Sequence, residues 1–137
     1  YMVVANGGTL YKPRLVMAVS SPDGATRITV DTEVRGRVEA SETTWRTIRE
    51  GLRYVTQWPR GTAYNAFRGA AYDPAGKTGS AQTATAAHAW FAGFAPASDP
   101  EIVVVVFAEH GESGVRSAEI TRKIMDVYFA GREEAAG

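Results

Sequence analysis

Apolar positions along this chain follow three successive rhythms: loose alternation, then helical spacing, then nearly unbroken strand-like runs. The opening Tyr-Met-Val-Val-Ala-Asn-Gly-Gly is an apolar stretch meeting two glycines, the pattern of a last helical turn and its stop. Thr9 to Ser21 alternates around Pro13, as an edge strand or extended loop does. Ser21-Pro22-Asp23-Gly24 puts Pro and Gly where a β-turn uses them, and Ala25 to Val30 returns as a second short strand. Residues 1–40 are therefore predicted to be a loop and hairpin segment. Ser41 is placed to cap a helix over 41–57, in which Trp45, Ile48, Leu52 and Val55 form one apolar face while Arg46, Arg49, Glu50 and Arg53 point elsewhere. Trp58-Pro59-Arg60-Gly61 ends it.

Residues 60–76, rich in glycine and lacking periodicity, predict a loop. Three strands are expected within 76–108: Gly76 to Thr85, small and hydroxylated; Ala89 to Ala95, aromatic; and Glu101 to Ala108, almost all valine. The last two read as an antiparallel hairpin buried on both faces, turned by Pro-Ala-Ser-Asp-Pro. A C-terminal helix over 115–130 follows, with Ile120, Ile124, Val127 and Tyr128 as its packing face. The tail from Gly131, with Glu133 and Glu134, reads as frayed and solvated. These elements predict an α+β fold, an antiparallel sheet flanked by helices.

Composition narrows the function. The 137 residues suit one domain, and the glycine stop so close to residue 1 suggests that the chain starts within a larger one. Fifteen basic residues balance fifteen acidic ones, which removes the electrostatic case for a nucleic acid partner. The absence of cysteine excludes a disulfide scaffold, a thiolate zinc site and a cysteine nucleophile. His88 and His110 have neither the spacing nor the carboxylates of a metal site and read as turn or strand-end residues. Trp90, Phe91 and Phe94 read as core and groove-wall aromatics.

Only Lys12, Lys77 and Lys123 are lysines, so Lys77 stands out within Asp-Pro-Ala-Gly-Lys-Thr-Gly-Ser-Ala-Gln (73–82). Gly-Lys-Thr is a fragment of the nucleotide-binding phosphate loop, but that loop needs a glycine five positions before Gly76, where this chain has Ala71, and a helix beginning at Lys77. The other chemistry that uses Lys-Thr-Gly is acyl transfer by penicillin-recognising serine enzymes. There an edge strand presents a cation and a hydroxyl to a substrate carboxylate, and a glycine lets substrate lie against the backbone.

The segments around the motif carry the resemblance. Ala-Asn-Gly-Gly-Thr-Leu-Tyr-Lys-Pro-Arg-Leu-Val (5–16), Ile-Arg-Glu-Gly-Leu-Arg-Tyr-Val (48–55), Gly-Thr-Ala (61–63), the Lys77 segment, His-Ala-Trp-Phe-Ala-Gly-Phe-Ala-Pro (88–96) and Glu-Ile-Val-Val-Val-Val-Phe-Ala-Glu-His-Gly (101–111) occur in this order. Together they resemble the C-terminal part of the class B penicillin-binding protein transpeptidase domain, most like the elongation-type, penicillin-binding protein 2-like members.

The resemblance implies peptidoglycan D,D-transpeptidation, in which a serine ester carries the acyl group of a D-Ala-D-Ala stem peptide to a second peptide's amine. It implies no metal and no organic cofactor. Lys77 would organise the electrostatics and protons of the site, and Thr78 and Ser80 would bind the substrate carboxylate. Gly79 would allow close approach, the Ser80 amide would be an oxyanion donor, and Gln82, two residues along the same face, would touch substrate. Many class B members have Thr where this chain has Ser80.

Implied partners are peptidoglycan stem peptides, β-lactam antibiotics, the remainder of the transpeptidase domain and a cell-elongation glycosyltransferase. The implied location is the extracytoplasmic face of the bacterial membrane, with an N-terminal anchor helix. One part is missing: no serine of this chain has Lys three residues on or Asn two residues on, so the Ser-x-x-Lys nucleophile and the Ser-x-Asn element are both absent. The chain alone is accordingly expected to be inactive. A serine β-lactamase or β-lactam sensor shares the Lys-Thr-Gly strand, and a non-catalytic binding fragment is the remaining alternative.

Overall fold

The computed structural model describes residues 1–136; Gly137 and the side chains of Glu133 and Ala136 lie outside the described residues. A short helix α1 (Met2–Ala5) ends at Gly7 and Gly8, both with positive φ. Four short strands follow: β1 (Thr9–Tyr11), β2 (Ala18–Ser20), β3 (Arg27–Thr29) and β4 (Val34–Arg37). They form nested antiparallel pairs, β2 with β3 across the Ser21–Gly24 turn and β1 with β4 outside them. This is the expected hairpin, with an additional outer pair that the alternation did not reveal.

Helix α2 (Glu42–Gln57) starts at the expected cap: the Ser41 hydroxyl accepts from the Thr44 amide at 3.1 Å. Ser41→Ala should lower thermal stability by about 1 kcal/mol, the usual loss for an N-cap hydroxyl, and a melting curve indistinguishable from the parent's would refute it. Trp45 is buried, Leu52 and Val55 are half-buried against the core, and Ile48 is exposed. The most buried residue of α2 is a polar one, Thr56, whose hydroxyl donates to the Pro74 carbonyl at 2.5 Å and so fixes the helix to the chain entering the sheet.

Residues 60–76 are not all loop: they contain a single helical turn, α3 (Tyr64–Phe67), which buries Phe67. Four residues are too few to show a period in sequence.

The sheet is a meander of β5 (Ala75–Ala81), β6 (His88–Ala95) and β7 (Ile102–Ala108), in that order and antiparallel throughout. β5 stops at Ala81 instead of reaching Thr85. The Thr83 hydroxyl donates to the Ala86 carbonyl and receives the Thr85 amide, a local turn that competes with strand pairing. On one face, Phe91, Ala95 and Val104 are buried together with Phe67. On the other, Ala75 and Phe94 are buried against Ala5, Leu52 and Val103.

The hairpin is not buried on both faces along its whole length. Trp90, Val105 and Phe107 remain 41%, 55% and 48% exposed, because α1 and α2 cover only the Ala75–Phe94–Val103 end of their face. Among the described residues, the outer edge of β7 pairs with no further strand.

Helix α4 (Gly114–Ala136) crosses the Phe91 face of the sheet and runs past Phe129, so the backbone expected to fray is helical through Ala136. Its packing face also differs from the expected one. Ser117, Ala118, Thr121 and Met125 are fully buried, whereas Ile120, Ile124 and Val127 are exposed. Both sets have helical spacing, and size separates them: the helix lies close over the sheet, so its inner face takes small side chains and one pliant methionine. Tyr72 holds the far side of α4, stacking on Phe129 and donating to Asp126 at 2.8 Å, while Arg122 pairs with the same carboxylate at 2.6 Å. Burial first, and then Asp126, push the Tyr72 phenol above the ordinary tyrosine range, so it stays a donor.

Candidate active site

β5 changes character halfway along. Ala75 and Gly76 are buried, whereas Lys77 to Ala81 emerge on the edge of the sheet. The inner half is anchored by Pro74 on Thr56 and by Asp73, which pairs with Arg53 of α2 at 2.6 Å. A rigid root with an open tip suits a strand that presents groups to a ligand.

Four expected residues, Lys77, Thr78, Gly79 and Ser80, come together along one open groove of about 330 Å³. The rest of its lining is Thr62 and, at the start of α4, Ser113, Gly114 and Val115. Thr62 and Thr78 hold their hydroxyl oxygens 2.7 Å apart, and the Lys77 ammonium donates to the Thr78 carbonyl at 2.9 Å. The Gly114 amide donates to the Ser80 hydroxyl at 3.4 Å. Nothing in this arrangement resembles a phosphate loop, since Lys77 sits within a strand.

Gln82 is exposed and lies beyond the last residue of β5, so strand alternation no longer assigns it a face; it is not among the residues lining the groove. His88 begins β6, and its Nδ1 accepts the backbone amide of His110 in the turn before α4 at 3.1 Å. Among the described residues, no three metal-ligating side chains come together. Sequence reasoning missed Ser113 and Gly114 altogether, and it passed over Thr62 as an ordinary member of Gly61-Thr62-Ala63. The clue was available: Ser-Gly just ahead of the C-terminal helix is an N-terminal signal.

A second cleft, of about 300 Å³, lies between α2 and the Ala97–Ser98 turn and contains Arg46, Arg49 and Arg53. Arg53 is paired with Asp73, and Arg49 donates to the Val4 and Ala5 carbonyls at the end of α1. Arg49 and Arg53 thus join the elements around them.

The model of the penicillin-binding protein transpeptidase domain matches residues 1–126. The chain belongs to that family. Among its relatives, penicillin-binding protein 2A of Bacillus subtilis is 31% identical over 92% of this chain and 20% of its own length. The peptidoglycan D,D-transpeptidase MrdA of Haemophilus influenzae is 32% identical over 62% of this chain and 16% of its own.

The D,D-transpeptidase domain of a peptidoglycan glycosyltransferase from Eggerthella lenta superimposes with a TM-score of 0.77 at 32% identity, covering 94% of this chain and 30% of that one. Penicillin-binding protein 2 of Pseudomonas aeruginosa, solved in complex with WCK 5153, gives 0.75 at 32% identity over 92% and 27%. The transpeptidase fold is thus shared, and the chain spans about a fifth of the length of these curated relatives.

Proposed function

We propose that this chain is the substrate-facing wall of a peptidoglycan D,D-transpeptidase of the elongation type, completed by a serine nucleophile carried outside these 137 residues. One observation carries the reading: Lys77, Thr78 and Ser80 stand on the exposed half of an edge strand and line one open groove together with Thr62 and the start of α4.

In this role the missing serine attacks the carbonyl of the penultimate D-Ala. The peptide C–N bond breaks, the terminal D-Ala leaves with the proton, and an acyl ester forms. An amine from a second stem peptide then attacks the ester, forms the cross-link and returns the serine hydroxyl. A β-lactam follows only the first half: its ring amide opens, the ring nitrogen takes the proton, and the ester persists.

Lys77 supplies the positive charge that draws the substrate carboxylate and steadies the proton transfers. The Thr78 and Ser80 hydroxyls donate to that carboxylate, as charge-assisted hydrogen bonds. In an antiparallel edge strand, alternate residues direct N–H and C=O outward. The Thr78 carbonyl that receives Lys77 and the Ser80 amide two residues on share one direction, which suits that amide as an oxyanion donor. Gln82 contributes at most a peripheral contact.

The enzyme works at the extracytoplasmic face of the bacterial membrane on peptidoglycan stem peptides, beside a cell-elongation glycosyltransferase. An anchor would lie elsewhere in the polypeptide, since no described helix is long and apolar enough to cross a membrane.

The test is a fluorescent penicillin. The 137-residue chain alone should take no covalent label, because none of its serines has Lys at the third position beyond it. The complete polypeptide should label one to one. A stoichiometric adduct mapped by peptide mass to any serine of residues 1–137 would overturn the assignment.

A further inference from the structure

The start of α4 is closer to β5 than any side chain would allow. A Cβ added to Gly114 would lie 2.8 Å from the Gly79 carbonyl oxygen, 2.9 Å from the Gly79 nitrogen and 2.9 Å from the Trp90 carbonyl oxygen. All three are backbone atoms of the β5–β6 ladder, where Gly79 faces Trp90, so none can swing aside. Gly114 is therefore seated directly on the glycine of Lys-Thr-Gly. In that seat its amide points at Ser80 and donates to the hydroxyl oxygen at 3.4 Å. The next amide is already taken, since Val115 N–H donates to the Ser113 hydroxyl at 3.3 Å.

We propose that Gly114 is a positioning residue for the carboxylate subsite of the groove, acting through Ser80. The inference rests on the reading that this groove receives a substrate carboxylate. A serine hydroxyl has one proton to give and lone pairs that accept. With the Gly114 amide donating to its oxygen, the Ser80 proton is free to be given outward, into the groove. Ser80 is thus biased to donate to an anion. The start of a 23-residue helix behind it adds positive potential of the same sense. Since β5 is held in its ladder with β6, a side chain at 114 would have to lift the start of α4 away, withdrawing its amide from the Ser80 hydroxyl.

The experiment uses the complete polypeptide and two probes, a penicillin and its methyl ester, which differ only in the carboxylate charge. Second-order acylation rates are measured for the parent, Gly114→Ala, Ser80→Ala and the double variant. The acid-to-ester rate ratio should fall about tenfold or more in each single variant, the worth of one charge-assisted hydrogen bond. It should fall no further in the double variant, because both changes remove the same interaction. Equal slowing of both probes by Gly114→Ala, or additive losses in the double variant, would make Gly114 a general packing residue and overturn the proposal.

Should Gly114→Ala not fold, the amide itself decides. Ser113-Gly114 is the only Ser-Gly step in this chain, so paired carbonyl-13C serine and 15N-glycine labelling picks out its N–H within these residues. Its hydrogen exchange should quicken by about tenfold in Ser80→Ala while the remaining α4 amides are unchanged, and an unchanged Gly114 rate overturns the proposal. A parent protein that shows no preference for the acid over the ester would instead refute the carboxylate reading of the groove.

Discussion

Lys77→Ala in the complete polypeptide is expected, on the proposed function, to slow penicillin acylation by about a hundredfold or more while leaving the melting temperature almost unchanged. The two effects separate because of where the side chain lies. Lys77 is exposed at the open tip of β5, and among the described residues its ammonium hydrogen-bonds only to the carbonyl of its neighbour Thr78. Surface substitutions of that kind usually shift stability by no more than about 0.5 kcal/mol. Losing a positioned cation at a reacting centre, by contrast, removes about 3 kcal/mol of transition-state stabilisation, roughly a hundredfold in rate. Arg should rescue poorly, since a planar fork does not replace a compact ammonium as a point charge beside a reacting centre. Acylation rates and melting curves for the parent and both variants test this together. Acylation of Lys77→Ala at the parental rate would reduce Lys77 to a solvated surface residue.

Phe91→Ala should do the reverse: destabilise the fold by about 3–5 kcal/mol, the usual cost of emptying a buried phenylalanine site. Phe91 is fully buried on β6, directly across from Thr78, with its ring centroid 5.3 Å from that of Phe67. Two glycines make room for it: Cβ atoms at Gly76 or Gly93 would come within 2.8 Å of its ring. A site shaped by backbone on two sides cannot collapse around a missing ring, which places the loss towards the upper end of the range. A melting-temperature fall of only a degree or two would show that the site relaxes after all.

How much of this was visible in the sequence depended on chain locality. The Ser41 cap, the helix behind it and the three-strand meander all rest on short-range signals, and each appears close to where those signals place it. Lys77, Thr78, Gly79 and Ser80 were recognisable because four consecutive residues on one strand stay neighbours in any fold. The α4 side of the groove was not, since Gly114 reaches Ser80 only after 34 residues of chain have turned back on the sheet.

The inner face of α4 was missed for a related reason. Hydrophobic spacing names Ile120, Ile124 and Val127, but closeness to the sheet selects Ala118 and Met125, and closeness is a tertiary property. Gln82 lies off the strand for a purely local reason, the threonine turn beside which β5 ends early.

The outer edge of β7 bears on how such a chain must be handled. Ile102 to Ala108 holds four consecutive valines and no charge, with a row of backbone donors and acceptors facing away from β6. Neither a proline nor a lysine interrupts it, two of the devices by which natural sheets blunt an open border. A strand of this composition is a template for self-addition, in which one molecule extends the sheet of the next. Solubility and correct pairing of these residues are therefore a single problem: a partner for the free edge of β7 would also keep the polypeptide from building fibres of itself.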